Sequence, residues 1–137
     1  MYTQAAARSR YAGDAVSTAS PARLLTMLYD RLARDLYQGE QAQRGGDRET
    51  ANEMLLHAQD IVMELRSTLH VDAWQGAAGL SALYTFLISE LMAANVAMDA
   101  DRTASCAALV EPLRQAWHEA AAQTAGVAPV ATVAASA

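Results

Sequence analysis

A chain of 137 residues with a net charge of −5 reads as one domain, long enough to bury a core without disulfide or metal staples. All ten basic residues are arginines, scattered from Arg8 to Arg114 among acids, so no basic stripe forms and nucleic acid is not expected as a partner. Lysine is absent, which removes lysine-dependent chemistry, and the single Cys106 forbids an intramolecular disulfide and fits a reducing cytoplasm.

The first 20 residues form an arm. Arg8 and Arg10 stand in it without an apolar run behind them, so a signal peptide is not expected. Tyr11 brings a large amphipathic ring and Val16 an apolar anchor, while Gly13 and the small residues of VSTAS allow hinge motion. The arm is expected to dock on the rest of the protein and yet remain movable, with Tyr11 and Val16 as partner-binding candidates.

Ser20-Pro21 starts the first helix, because serine can accept from free N–H groups of the first turn and proline loses nothing at its first position. Leu24, Leu25, Leu28, Tyr29, Leu32 and Leu36 recur on one face of it, over residues 21–38, and the helix is predicted to stop near Gly39. Gly45-Gly46 breaks the chain, and Asp47 can cap a second helix over 48–70. Asp72 with Gln75 makes a capping-box-like start for a third, over 73–98. Asp99 and Asp101 interrupt, and a fourth follows over 102–124. Pro112 inside it either kinks or splits it, and Cys106, Leu109, Leu113 and Trp117 keep one face across it, which favours a kink. Trp117 is expected among the most buried residues, near Leu113 and Ala121. Short connections favour antiparallel neighbours, so the predicted fold is an all-α, antiparallel up-down four-helix bundle over residues 21–124. Residues 125–137 are small, uncharged and of low complexity, and are expected to be a disordered tail.

The third helix carries a single charge, Glu90, between Asp72 and Asp99, and Gly79 to Met98 is about long enough to cross a bilayer. Glu90 and Asn95 would then both sit in lipid, so the plainer reading is a central helix covered on more than one side, with no stable membrane insertion.

Catalytic readings find little support. Di-metal bundles need Glu-x-x-His pairs, whereas Met54, Ser67 and Gln115 stand three before His57, His70 and His118. Glu53 and His57 are four apart and could share a metal, but a solvated polar face is the plainer reading, and no cofactor is expected. A phosphotransfer bundle with a reactive His57 would place Asp60 beside a developing phosphate, which is unfavourable. Cys106 lies on an apolar face and reads as an inert core thiol. Tyr29 and Tyr84 read as core tyrosines with satisfied hydroxyls. Asn95 reads as a polar residue that fixes register near one bundle end.

What remains is surplus apolar surface. On the second helix Met54, Ala58, Ile61, Val62, Leu65 and Leu69 collect on the core face, while Leu56 and Met63 point away. On the third, Leu80, Leu83, Tyr84, Leu87 and Leu91 are core, Met92 and Val96 drift off that stripe, and Phe86 lies off its other edge. Aligned surplus on consecutive helices suggests a groove for a partner helix, and methionine suits an adaptable one. The isolated protein is expected to be a monomer or weak homodimer.

The order of these pieces resembles the flagellin-specific export chaperone family (FliS). The resemblance rests on the arm tyrosine, the TASP cap with LLTMLYD, and Ala58-Gln59-Asp60-Ile61-Val62 with Glu64-Leu65 and Leu69. Trp74, Leu80, Leu83-Tyr84, Leu91 and Ala94-Asn95 continue it, as do Leu113-Arg114 and Ala116-Trp117, so that it spans roughly residues 11 to 120. It implies a cytosolic, non-catalytic bundle that binds the disordered C-terminal segment of flagellin, prevents premature polymerisation and delivers flagellin to the flagellar export gate. The alternative is a regulatory or scaffold bundle that binds another amphipathic peptide, for example an anti-sigma factor.

Overall fold

The structure, a computed structural model, describes the backbone of residues 21–136 and the side chains of residues 21–123. Tyr11, Val16 and the rest of the expected arm lie outside the described residues. Among those described there are four helices and no strand: α1 (Pro21–Arg44), α2 (Arg48–Thr68), α3 (Ala77–Ala97) and α4 (Ala100–Ser136). The fold is all-α, as the apolar periodicity predicts for a four-helix bundle.

The chain divides into two compact units: Asp30–Pro112, and a second in which the described residues before Asp30 join those after Pro112. The first unit holds the core. Leu32 and Leu36 of α1, Leu55, Ala58, Val62 and Leu65 of α2, Leu80, Tyr84, Leu87 and Leu91 of α3, and Cys106 and Val110 of α4 are all buried. Met54, Leu69 and Leu83, expected in the core, sit half-buried at its edge, and the centre of α2 falls instead on Ala51 and Leu55. In the second unit Tyr29 is buried, Leu24, Leu25 and Leu28 are half-buried, and the Tyr29 ring lies 6.5 Å from that of Trp117, tilted by 41°. Trp117 is half-buried rather than among the most buried residues.

Helix α1 does not stop near Gly39. Gly39 is buried, and a Cβ there would lie 2.9 Å from Leu55 Cδ2, so this glycine admits the side chain of α2 rather than ending α1. The helix breaks at Gly45-Gly46, where Gly46 adopts φ +76, a left-handed conformation that favours glycine. Asp47 then caps α2 as its position predicts, accepting from the Thr50 N–H at 3.1 Å. Hydrogen bonding from Thr50 holds its carboxyl below the usual range.

Helix α3 begins at Ala77, several residues after the predicted start. The Asp72–Gln75 box is not used; the N-cap is Gly76, with no side-chain cap. Residues 70–76 turn instead, with Ala73 N–H donating to His70 carbonyl at 3.0 Å and Ala77 N–H to Trp74 carbonyl at 3.1 Å. The Trp74 ring lies against Gly76, where a Cβ would come within 2.1 Å of it.

Met98, at φ 53, closes α3 in the left-handed region, and Asp99 accepts from Arg102 N–H at 3.0 Å to start α4. Pro112 lies inside α4, which is not split by it. The core stripe of α4 is Thr103, Cys106 and Val110, with half-buried Leu113 and Trp117 continuing it; Leu109, expected on that face, is exposed. The shift by one position has a polar cause. Thr103 is fully buried because its hydroxyl donates to Gln43 Oε1 at 2.7 Å, while Gln43 Nε2 donates to the Ala94 carbonyl at 3.0 Å. The backbone of α4 runs on to Ser136, so no helix end marks the boundary expected at residue 124.

Helix α3 is long and apolar enough to cross a membrane by length and composition. Its apolar stripe is instead spent on the core, and its one carboxylate, Glu90, accepts from Arg102 Nε of α4 at 3.0 Å.

Candidate partner-binding surface

The surface is built on the seam between α2 and α3. Asn95 Nδ2 donates to Asn52 Oδ1 at 2.8 Å, and Arg66 Nη1 donates to Thr85 Oγ1 at 3.3 Å. As numbering rises along α2 it falls along α3, so this pair is antiparallel. Asn95 thus finds a side-chain partner across the pair, at the rim of the core.

Along this seam the apolar surplus comes to the surface. Leu56 and Met63 on α2 are 47% and 41% exposed, and Met92 and Val96 on α3 are 53% and 80% exposed. Helical periodicity puts both pairs on the flanks that border the seam, because Leu56 and Met63 neighbour Asn52 and Arg66 on α2, as Met92 and Val96 neighbour Asn95 on α3. Four of the sequence-derived candidates therefore lie along one furrow. Phe86 is half-exposed but stands apart, on the edge of α3 that carries Glu90 toward α4. At one end of the furrow an open depression of about 660 Å³ is lined by Arg48, Glu49, Asn52, Asn95 and Val96.

Two polar features of the same helices escape a reading by apolar spacing. Asp35 is buried on α1 between Leu32 and Leu36; it accepts from His57 Nδ1 of α2 and lies 3.4 Å from Arg31 Nε. His57, its side chain 40% exposed, thus lies on the polar edge of α2 with a carboxylate partner on α1. The other is Gln59, which is buried on the seam side of α2. The signal that could have found it is the seven-residue recurrence of Asn52, Gln59 and Arg66 beside the apolar stripe.

No three His, Cys, Asp or Glu side chains converge into a metal-holding group among the described residues. Burial, with Glu90 nearby, pushes the Cys106 thiol up to about 11 against the opposing pull of Arg102, so it stays a neutral core group at ordinary pH. A furrow edged by leucine, valine and two methionines, closed at each end by polar pairs, is shaped to receive the apolar face of another helix.

A family model described as Flagellar protein FliS matches residues 3–124. The chain is 33% identical over 110 residues to the Flagellar secretion chaperone FliS of Bacillus subtilis (strain 168), covering 80% of this chain and 82% of that protein. It is 30% identical over 105 residues to the Flagellar secretion chaperone FliS of Vibrio cholerae serotype O1, covering 76% of this chain and 77% of that one.

Proposed function

Because the chain belongs to the FliS family of flagellar proteins, we propose that it is a flagellar secretion chaperone, non-catalytic and cytoplasmic, which holds the C-terminal segment of flagellin before export. The observation that supports this reading is the apolar furrow of Leu56, Met63, Met92 and Val96, which the core does not require. Exposed apolar side chains aligned along one seam cost solubility and are retained where a partner covers them. An amphipathic flagellin helix laid there loses the apolar face through which it would polymerise. Ordering a disordered segment on binding costs entropy, which keeps the complex releasable to the flagellar export gate despite a large interface. Phe86 is a contact for a partner that wraps beyond the furrow, and Tyr11 and Val16 are contacts from the arm.

Mixing the protein with flagellin, and with flagellin lacking its C-terminal residues, tests this by size-exclusion chromatography and titration calorimetry. A one-to-one complex is expected with intact flagellin only. Equal binding of both forms, or of neither, refutes the reading.

A further inference from the structure

The α2–α3 seam closes with a donor left over. Gln59 is only 8% exposed, and its amide nitrogen is the one buried side-chain polar atom among the described residues that lacks a hydrogen-bond partner. Native chains retain few such groups, because a buried unpaired amide keeps its full desolvation cost. Its position shows from which side a partner would come. Asn52, Gln59 and Arg66 are spaced by seven residues, close to two turns, so they share the side of α2 that faces α3. Asn52 and Arg66 meet Asn95 and Thr85 there. Midway between these pairs α3 brings Ile88 and Met92 to the seam, and neither side chain offers an oxygen. Leu56 and Met63, about one turn before and after Gln59, form the half-exposed lip beside it.

We propose that Gln59 is the specificity-determining polar contact of this furrow: when the partner helix lies along the seam, the Gln59 amide donates to an oxygen on that helix's otherwise apolar face. The inference rests on the furrow being the site of the flagellin segment. Methionine side chains at 63 and 92 have the rotational freedom to swing aside and uncover the amide. A helix with an apolar group at this register leaves the donor unpaired, whereas one with a serine, asparagine or helix-end carbonyl there satisfies it. A site built to bond a polar group rejects an analogue lacking it more strongly than apolar contact can. The amide thus sets both which segment binds and in which register.

The test is Gln59→Met, nearly isosteric and without polar hydrogens, made in the full chain and followed by thermal melting and by titration with the flagellin C-terminal segment. Tm is expected to rise by about 3 °C, since an unpaired amide is removed from the free protein. Affinity is expected to fall about tenfold, since the same amide is paired in the complex. A raised Tm with unchanged or tighter affinity overturns the proposal, because the amide is then only a folding cost. An unchanged or lowered Tm also overturns it, because the amide is then satisfied in the free protein. If the unsubstituted parent does not bind the segment, the reading of the furrow fails and carries this inference with it. Parent binding together with either of the other two results removes the inference alone.

Discussion

Helix α2 has two apolar faces that differ little in composition and greatly in fate. The inner one, Ala51, Leu55, Ala58, Val62 and Leu65, is buried; the outer one, Leu56 and Met63, is left nearly half in water. Leu55 and Leu56 are the same residue type at adjacent positions. Apolar character alone therefore does not decide burial; position around the helix decides which side chains the chain itself covers.

Substitutions on the two faces test that contrast. The largest effect is expected at Leu55→Ala, which empties a fully buried site and should cost about 2–5 kcal/mol of stability in denaturant melts. Flagellin binding per folded molecule should be unchanged; a loss of binding without loss of stability would make the inner face part of the furrow. Next comes Gly39→Val on α1, whose added carbons would press on Leu55 from the other side, where even a Cβ lies 2.9 Å away. A loss of about 1–3 kcal/mol is expected from such overpacking. A melting curve like the parent's would show that Gly39 is not the close-approach point between α1 and α2.

On the outer face, replacing Leu56 and Met63 together with aspartate should leave melting and circular dichroism nearly unchanged. Affinity for the flagellin segment should drop at least tenfold, about 1.4 kcal/mol. Unfolding of this double variant would place both residues in the core and erase the contrast. The smallest effect belongs to the inner face of α4. The Cys106 thiol stands at about 11 in the fold against an ordinary 9.0, so folding favours its protonated form. That contribution is whole below pH 9.0 and fades as pH rises toward 11, on the order of 1 kcal/mol. Comparing Cys106→Ala with the parent across that window isolates it, and parallel pH profiles would contradict the burial of the thiol.

The sequence made the helices legible because their stripes are long and regular, and it made the furrow legible as apolar residues that no single stripe could absorb. Leu56, Met63, Met92 and Val96 were readable on those grounds alone. What escaped were cases in which polar atoms or packing geometry overrule spacing. Gly39 looks like a helix terminator until the side chain of Leu55 is seen to need its space. Asp72 and Gln75 have the chemistry of a cap, but residues 70–76 are spent on turns, and the helix starts at Ala77 behind Gly76. Leu109 outranks Thr103 by hydropathy, yet Gln43 makes Thr103 the buried one. Asp35, Gln59 and His57 carry no apolar signal; Asp35 and His57 are paired between α1 and α2, whereas the burial of Gln59 shows only in the three-dimensional structure.

The bridge through Gln43 also bears on how the chain reaches this state. Its two bonds join residues 51 and 60 positions apart, linking α1 at once to the end of α3 and the start of α4. Each bond needs two distant helices in place, and the complete bridge needs all three, since closing such long loops costs entropy before any contact repays it. A bridge that closes only after the rate-limiting barrier slows unfolding without speeding folding, so Gln43→Leu is expected to raise the unfolding rate more than it lowers the folding rate in stopped-flow measurements. Its effect would then be read in the lifetime of the folded chain.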